Sequence, residues 1–545
     1  MNVTFDSPSH APADTALPGA APAAEPSSSS PLRGALQYFA TLAIALLALP
    51  GLTACADMSG IAPHAQMHDA ASLGLAAPAG SAGAAQKAFA EATLPTDWWL
   101  GFGDSQLDAL IDRALATNPN LKATEARIAR AQAFIETARA ADGPQLNGSL
   151  DVTRQLYSAN GPYPPPLAGS VLNSGTGRLT GSWEIDFFGK NRAALESALG
   201  SANAAQADAQ AARLLLASNV ARSYFQLARL KAQLGVAERT LAQRNETLRL
   251  VRDRVDAGLD TQLERRQSEG GLPEARQQIE AIQEQIALTR NALGALVGQP
   301  NAALAIDFPA LNAIHSIAIP AALPADLLGR RPDVAAARWR VEAATQDVAV
   351  AKAQFYPNVN LTAFLGLSSI GLDHFAQAGS KEWGIGPAIR LPIFDSGRLR
   401  ANLRGKAADV DAAVESYNAA LIDAVHDAAD QLASSRSIER QQAEQRNAQE
   451  AAEAAYDIAR QRYQAGLGNY LNVLTAETAV LAQRRQAVDL EARRLDTQVA
   501  LIRALGGGYA APLPGTGAGT GTGTGGTGTV ATAPAGTTAA SNTAH

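Results

Sequence analysis

The chain repeats itself. Arg254-Val255-Asp256-Ala257-Gly258-Leu259 returns as Arg462-Tyr463-Gln464-Ala465-Gly466-Leu467, 208 residues later (254 to 462). Gly189-Lys190-Asn191-Arg192-Ala193 returns as Gly397-Arg398-Leu399-Arg400-Ala401 at the same offset of 208 (189 to 397). Asn118-Pro119-Asn120-Leu121 returns as Arg331-Pro332-Asp333-Val334 at 213 (118 to 331). Three matches in one order at a nearly constant offset mark a duplicated unit. They exclude the three or four unrelated domains that 545 residues would otherwise imply. The repeats are read as 93–300 and 301–505.

Each unit opens with a helix that a proline starts, Pro119 or Pro332, where the missing N–H costs nothing. Asp333 beside the second proline suits the positive end of the helix dipole. Two strands follow. Leu146, Leu150 and Val152 alternate with Asn147, Ser149, Asp151 and Thr153, and Leu179, Trp183, Ile185 and Phe187 alternate with Thr180, Ser182, Glu184 and Asp186. The second unit repeats the pattern with Val359, Leu361, Ala363, Leu365 and Leu367, then Trp383, Ile385, Ile389, Leu391 and Ile393. Period-two patterning over such lengths fits strands that cross a bilayer at a tilt, with lipid on one side and water on the other. Half-buried strands of a soluble sheet are the alternative.

A very long helix comes next. No proline occurs between Leu167 and Leu272, or between Ile393 and Ala511. Gly189 to Ala257 would span about 100 Å as helix, too long for a compact domain. Val220, Leu227, Leu234, Leu241, Leu248 and Val255 fall seven apart, the repeat of a helix that stays on a neighbour along a left-handed supercoil. A plain coiled-coil dimer is the simpler reading. However, the matching face around 410–460 is mostly Ala, Ser and Gln, which suits a tube wall facing water. Gly258 and Gly466 sit where each long helix must turn, and glycine takes the left-handed conformation that closes a helix. A second helix then returns, to Gly298 in one unit and Gly506 in the other. The expectation is a helical hairpin of about 100 Å per unit.

The N-terminus supplies an address. Residues 1–32 are Pro/Ala/Ser-rich without hydrophobic periodicity. Arg33 then precedes an apolar run from Ala35 to Leu49 that ends in Leu52-Thr53-Ala54-Cys55. A positive charge, a short apolar core and small residues make a signal peptide, so 1–54 is read as an extension plus signal peptide. A 54-residue signal with one basic residue is long, which leaves open a start downstream of Met1. The last four residues resemble the bacterial lipobox, which implies cleavage before Cys55 and a diacylglycerol and N-acyl lipid on it. Ala56 in place of aspartate then favours the outer membrane. Residues 55–92 are read as a tether and 506–545 as a Gly/Thr/Ala-rich tail.

Composition removes other classes. Forty-five basic against 51 acidic residues, with no basic block, give no face for nucleic acid. Cys55 is the only cysteine, so no internal disulfide and no thiolate metal cluster can form. No GxSxG, HExxH or phosphate loop occurs, and His64 and His68, four apart, lie in the tether without a helical pattern. No cofactor and no enzymatic activity are expected.

Several stretches resemble the TolC family, in its NodT/OprM-like lipoprotein branch. They are Trp98-Trp99, Phe102-Gly103-Asp104 and Leu107, the run from Leu323 to Val334, Leu391-Pro392-Ile393-Phe394-Asp395-Ser396-Gly397-Arg398, and Arg462 to Leu467. The resemblance covers about 93–506. It implies a mixed α and β membrane protein: a homotrimer whose 12-stranded transmembrane β-barrel joins a long periplasmic α-helical barrel. It implies a passive channel of a tripartite efflux pump, bound to a periplasmic adaptor and an inner-membrane pump, usually of the resistance-nodulation-division class. The tips at Gly258, Leu259, Gly466 and Leu467 would meet the adaptor. Leu471 and Thr475 would lie at the resting gate. Relatives often carry aspartate where Thr475 stands, so an apolar gate centred on Leu471 is expected, unless Leu471 packs between helices. One departure is local: Gly270, Gly271 and Pro273 should kink or soften the first return helix. A duct for secreted proteins, or a periplasmic scaffold without a pore, are the rival functions.

Overall fold

A computed structural model describes residues 58–68, 94–299, 306, 311–317 and 331–509. The fold is built by those within 61–392 and 396–509, which form one compact unit. Cys55, the signal segment, the run 323–330 and the tail from 510 lie outside the described residues.

After a short 3-10 turn at Trp98–Phe102 come α1 (Ser105–Thr117), α2 (Pro119–Asp142), β1 (Gln145–Leu156), β2 (Val171–Ile185), α3 (Lys190–Asp256) and α4 (Gln262–Val297). The second half gives α5 (Pro332–Ala353), β3 (Asn358–Ile370), β4 (Lys381–Arg390), α6 (Arg398–Gln464) and α7 (Tyr470–Ala504). The long helices α3 and α6 have 67 residues each and begin 208 apart (190 to 398). The return helices have 36 and 35 residues and also begin 208 apart (262 to 470). The local signals act as expected. Pro119 and Pro332 open α2 and α5, and the Asn118 side chain caps α2 by accepting from the Asn120 N–H. Asp333 sits in the first turn of α5, where Arg331 also grips it at 2.6 Å.

The hairpin differs from expectation. At 1.5 Å per residue a return helix reaches about 54 Å, half the length of its long partner. The remaining wall beside α3 and α6 is supplied by α2 and α5. Helix α5 lies between the two long helices: Asp347 accepts from Ser197 at 2.6 Å on one side and from Lys406 at 3.0 Å on the other. A Cβ on Gly200 would stand 3.1 Å from that of Ala343, so small residues set this close crossing. Proline patterning showed where the long helices run, but not that two pieces cover each.

The seven-residue repeat is core. Val220, Leu227, Leu234 and Leu248 are buried, and Leu241 and Val255 are half-buried. Around Val220 and Leu227 they join Trp98, Phe102 and Phe225 in a cluster of edge-to-face rings, where Tyr224 donates to Asp104 at 2.7 Å.

Helix α4 continues through Gly270, Gly271 and Pro273, so the two glycines and the proline do not end it. Pro273 is exposed, and Arg244 of α3 donates to the Gly271 carbonyl at 2.7 Å, which braces the helix from its buried side. One further expectation needs correction: β2 stops at Ile185 and β4 at Arg390, so Asp186 and Phe187, like Leu391 and Ile393, do not extend the alternation. Part of the proposed tether is also docked: His64 and Ala65 donate their N–H groups to Asp411 at 2.7 and 2.8 Å, and His68 donates to Asn418 at 2.8 Å. Residues 61–68 thus lie along α6.

Candidate functional site

The four strands form one antiparallel sheet in the order β1-β2-β3-β4. The register puts Leu179, Leu365 and Trp383 in one cross-strand row and Trp183, Leu361 and Pro387 in another. Leu146, Leu150, Val152, Ile385 and Ile389 share that face. All the large apolar residues among these are exposed, Leu150 at 71 % and Trp383 at 75 %. The other face carries Asn147, Asp151, Thr180, Arg178, Thr362 and Glu382. A soluble sheet hides its apolar face; this one displays it. Strands β1 and β4 end the sheet with open edges of 12 and 10 residues. Unpaired backbone is not tolerated in hydrocarbon, so the edges require partner strands.

The two helical tips are copies of one turn. Gly258 and Gly466 have φ of 72° and 74°. Leu259 donates to the Arg254 carbonyl at 2.8 Å and Leu467 to that of Arg462 at 2.7 Å, the Schellman closure of a helix. The leucines that follow the glycines are exposed at 66 % and 70 %, an apolar prominence at each tip. Leu471, on the first turn of α7, is 59 % exposed in the protomer. Thr475 turns its hydroxyl back to the Leu471 carbonyl at 2.9 Å.

Three tip residues escape the sequence reading. Arg254 donates to Asp260 through Nε at 2.9 Å and to the Tyr463 carbonyl at 3.1 Å, and the Tyr463 hydroxyl also donates to Asp260. Burial is the largest influence on Asp260 and raises its pKa. The hydrogen bonds from Arg254 and Tyr463 together outweigh it and hold the carboxyl below its ordinary range. Burial pushes the Tyr463 hydroxyl far above its ordinary value, and the bond to Asp260 adds to that. The signal lay where the repeats diverge: Tyr463 replaces Val255, and Asp260 has Gly468 as its counterpart.

A second cluster lies further along α7. Glu477 is 4 % exposed and accepts from Arg244 at 3.1 Å, and Arg244 also faces Glu274 at 3.5 Å. Burial raises the pKa of Glu477 and Arg244 only partly opposes it. Among the described residues no group of three His, Cys, Asp or Glu side chains could hold a metal.

The model of the outer membrane efflux protein family matches residues 110–299 and 323–507. The chain belongs to that family. Its fold is that of the TolC-like channels, a trimeric 12-stranded β-barrel continued by an α-helical barrel, of which this chain is one duplicated protomer. The chain is 42 % identical over 377 residues to the fusaric acid resistance protein FusA of Burkholderia cepacia, covering 68 % of this chain and 70 % of that one. It is 35 % identical over 416 residues to the pyoverdine export outer membrane protein OpmQ of Pseudomonas aeruginosa, covering 76 % and 87 %. The crystal structure of the outer membrane protein VceC from Vibrio cholerae superposes with a TM-score of 0.73 at 38 % identity, over 76 % of this chain and all of that one.

Proposed function

We propose that three copies of this chain form the outer-membrane channel of a tripartite efflux pump, which conducts small toxic molecules passively from periplasm to exterior. One observation carries the reading: an amphipathic four-stranded sheet with two open edges, continuous with helices of 67 residues. Twelve strands from three protomers close the edges, and the polar face then lines a water-filled bore. Relatives named for fusaric acid resistance and pyoverdine export favour small-molecule cargo over secreted protein.

In this reading the tips at Gly258, Leu259, Gly466 and Leu467 meet a periplasmic adaptor. The adaptor links them to an inner-membrane pump of the resistance-nodulation-division type. Leu471 closes the resting bore by dewetting, and Thr475, in place of an acid, leaves little affinity for cations. Cys55 carries diacylglycerol and an N-acyl chain. The channel itself performs no chemistry and needs no cofactor.

Purified full-length protein should run as a heat-dissociable trimer and conduct ions in planar bilayers, and its deletion should sensitise cells to drugs. A monomer without conductance sinks the channel. For the anchor, Cys55→Ser should end palmitate labelling while efflux falls only in part, because the barrel also holds the membrane; unchanged labelling refutes lipidation.

A further inference from the structure

The middle of the sheet's polar face carries short side chains such as Thr176, Thr180, Ser182 and Thr362 around one group of large ones. In one cross-strand row, Arg178 of β2, Gly366 of β3 and Glu382 of β4 stand in register; in the next stand Thr180, Phe364 and Gly384. Arg178 and Glu382 are therefore two strands apart, a gap of about 10 Å between backbones. With no side chain at Gly366 between them, Arg178 reaches across β3 and donates from Nε and Nη2 to one Glu382 oxygen, at 3.0 and 2.6 Å. A Cβ on Gly366 would fall 2.4 Å from the Gly177 carbonyl oxygen. The Phe364 ring lies over Gly384, where a Cβ would stand 2.6 Å away, and the Arg178 guanidinium lies 4.5 Å from the ring centroid. Two glycines thus make room for one fixed arrangement of a ring and a cation. Phe364 is the one aromatic residue on that face among the described strands.

We propose that Arg178, seated on Phe364 and held by Glu382, is a contact site inside the barrel for flat aromatic molecules in transit. The proposal rests on the barrel reading, which turns this face toward the bore and sets three such sites at one level. Guanidinium is planar and weakly hydrated, and it attracts aromatic faces. Phe364 covers one side of it and Glu382 holds its edge, while 37 % of the Arg178 side chain stays exposed. An incoming ring finds the cation already oriented, so little rotamer freedom is lost on contact. Glu382 balances the charge, so the site selects for aromatic character rather than for anions. A solvated contact of this kind is weak, which suits a conduit that must release what it meets.

The test uses 2-naphthol as probe and its saturated analogue 2-decalol as control, with saturation-transfer NMR on detergent-solubilised full-length trimers. Wild type should saturate 2-naphthol and not 2-decalol. Arg178→Lys keeps the charge and loses the plane, and should weaken the naphthol signal about fivefold, the size of a lost solvated cation–π contact. Phe364→Leu should weaken it similarly. Should either variant fail to assemble, Thr180→Cys beside the ring provides a second reading. Its maleimide labelling should be slowed by 2-naphthol and not by 2-decalol. Equal naphthol signals in wild type and Arg178→Lys, or no protection at Thr180→Cys, overturn the site while an unheated trimer band keeps the barrel. A wild type that runs as monomer overturns both.

Discussion

Arg254 and Tyr463 meet across the two tips of the protomer: the guanidinium lies 4.7 Å from the ring centroid and donates to the tyrosine carbonyl. Asp260 completes the latch by accepting from both side chains. One half of the duplication is thereby tied to the other close to Leu471. Tyr463→Phe removes one hydrogen bond to a carboxylate, worth about 1.5–3 kcal/mol. The variant should raise the resting conductance of reconstituted channels while the trimer band stays. The acid dependence follows from Asp260. Its folded pKa is depressed, so the latch is at full strength above the ordinary carboxylate range and fails only as pH falls through the lower folded value. Conductance should stay flat from pH 8 to 5 on this account. A Tyr463→Phe channel as tight as wild type would remove the latch from gating.

The sheet predicts a two-faced response to charge. Leu361→Arg or Ile389→Arg puts a cation among exposed apolar side chains and should cost about 2–4 kcal/mol near the bilayer midplane. Thr362→Arg, on the other face, loses the bond from its hydroxyl to the Gly386 carbonyl at 3.1 Å, about 1 kcal/mol. Trimer yield after membrane extraction should therefore fall much further for the first two. Equal losses on both faces would show that the strands do not meet lipid.

Much of this was legible because it repeats or alternates. The period of two marked both faces of every strand, and the glycines after Arg254 and Arg462 marked both turns. What stayed hidden depends on residues far apart in sequence. The Arg178–Glu382 pair spans 204 positions and the contact of Asp260 with Tyr463 spans 203. Residues 61–68 show no periodicity because an extended segment held through its own N–H groups needs none. The bond that holds α4 beside Pro273 was hidden too, because Arg244 comes from another helix.

Docking should depend on the leucines more than on the glycines. Gly466 has a positive φ, so any substitution there strains the turn by about 1–2 kcal/mol before its bulk matters. Leu467→Asp leaves the turn intact and replaces an exposed apolar contact with a charge. It should abolish drug resistance in cells while trimer level stays unchanged, and Leu467→Cys should crosslink to the adaptor. Full resistance with aspartate at both Leu259 and Leu467 would take the tips out of the docking surface.

The gate residue is separable from the latch. Leu471 is largely exposed in the protomer, so Leu471→Ser removes little packing within the chain. Higher resting conductance and vancomycin sensitivity with an unaltered trimer melting temperature are expected. A variant that melts lower and leaks no more than wild type would place Leu471 in a helix interface.

Glu477 predicts a pH dependence opposite in sign to that of Asp260. Burial raises its folded pKa above the ordinary glutamate value, so the folded state binds the proton more tightly than the unfolded chain. Stability attributable to this group then rises as pH falls from above the folded pKa toward the unfolded one. Glu477→Gln removes the titration and keeps the shape, and Arg244 retains Glu274 and the Gly271 carbonyl as partners. On acidification from pH 8 toward the ordinary glutamate range, the trimer melting temperature of wild type should rise relative to that of Glu477→Gln. Parallel curves would mean that Arg244 holds the carboxylate ionised throughout, and that the pair is a fixed strut between α3 and α7.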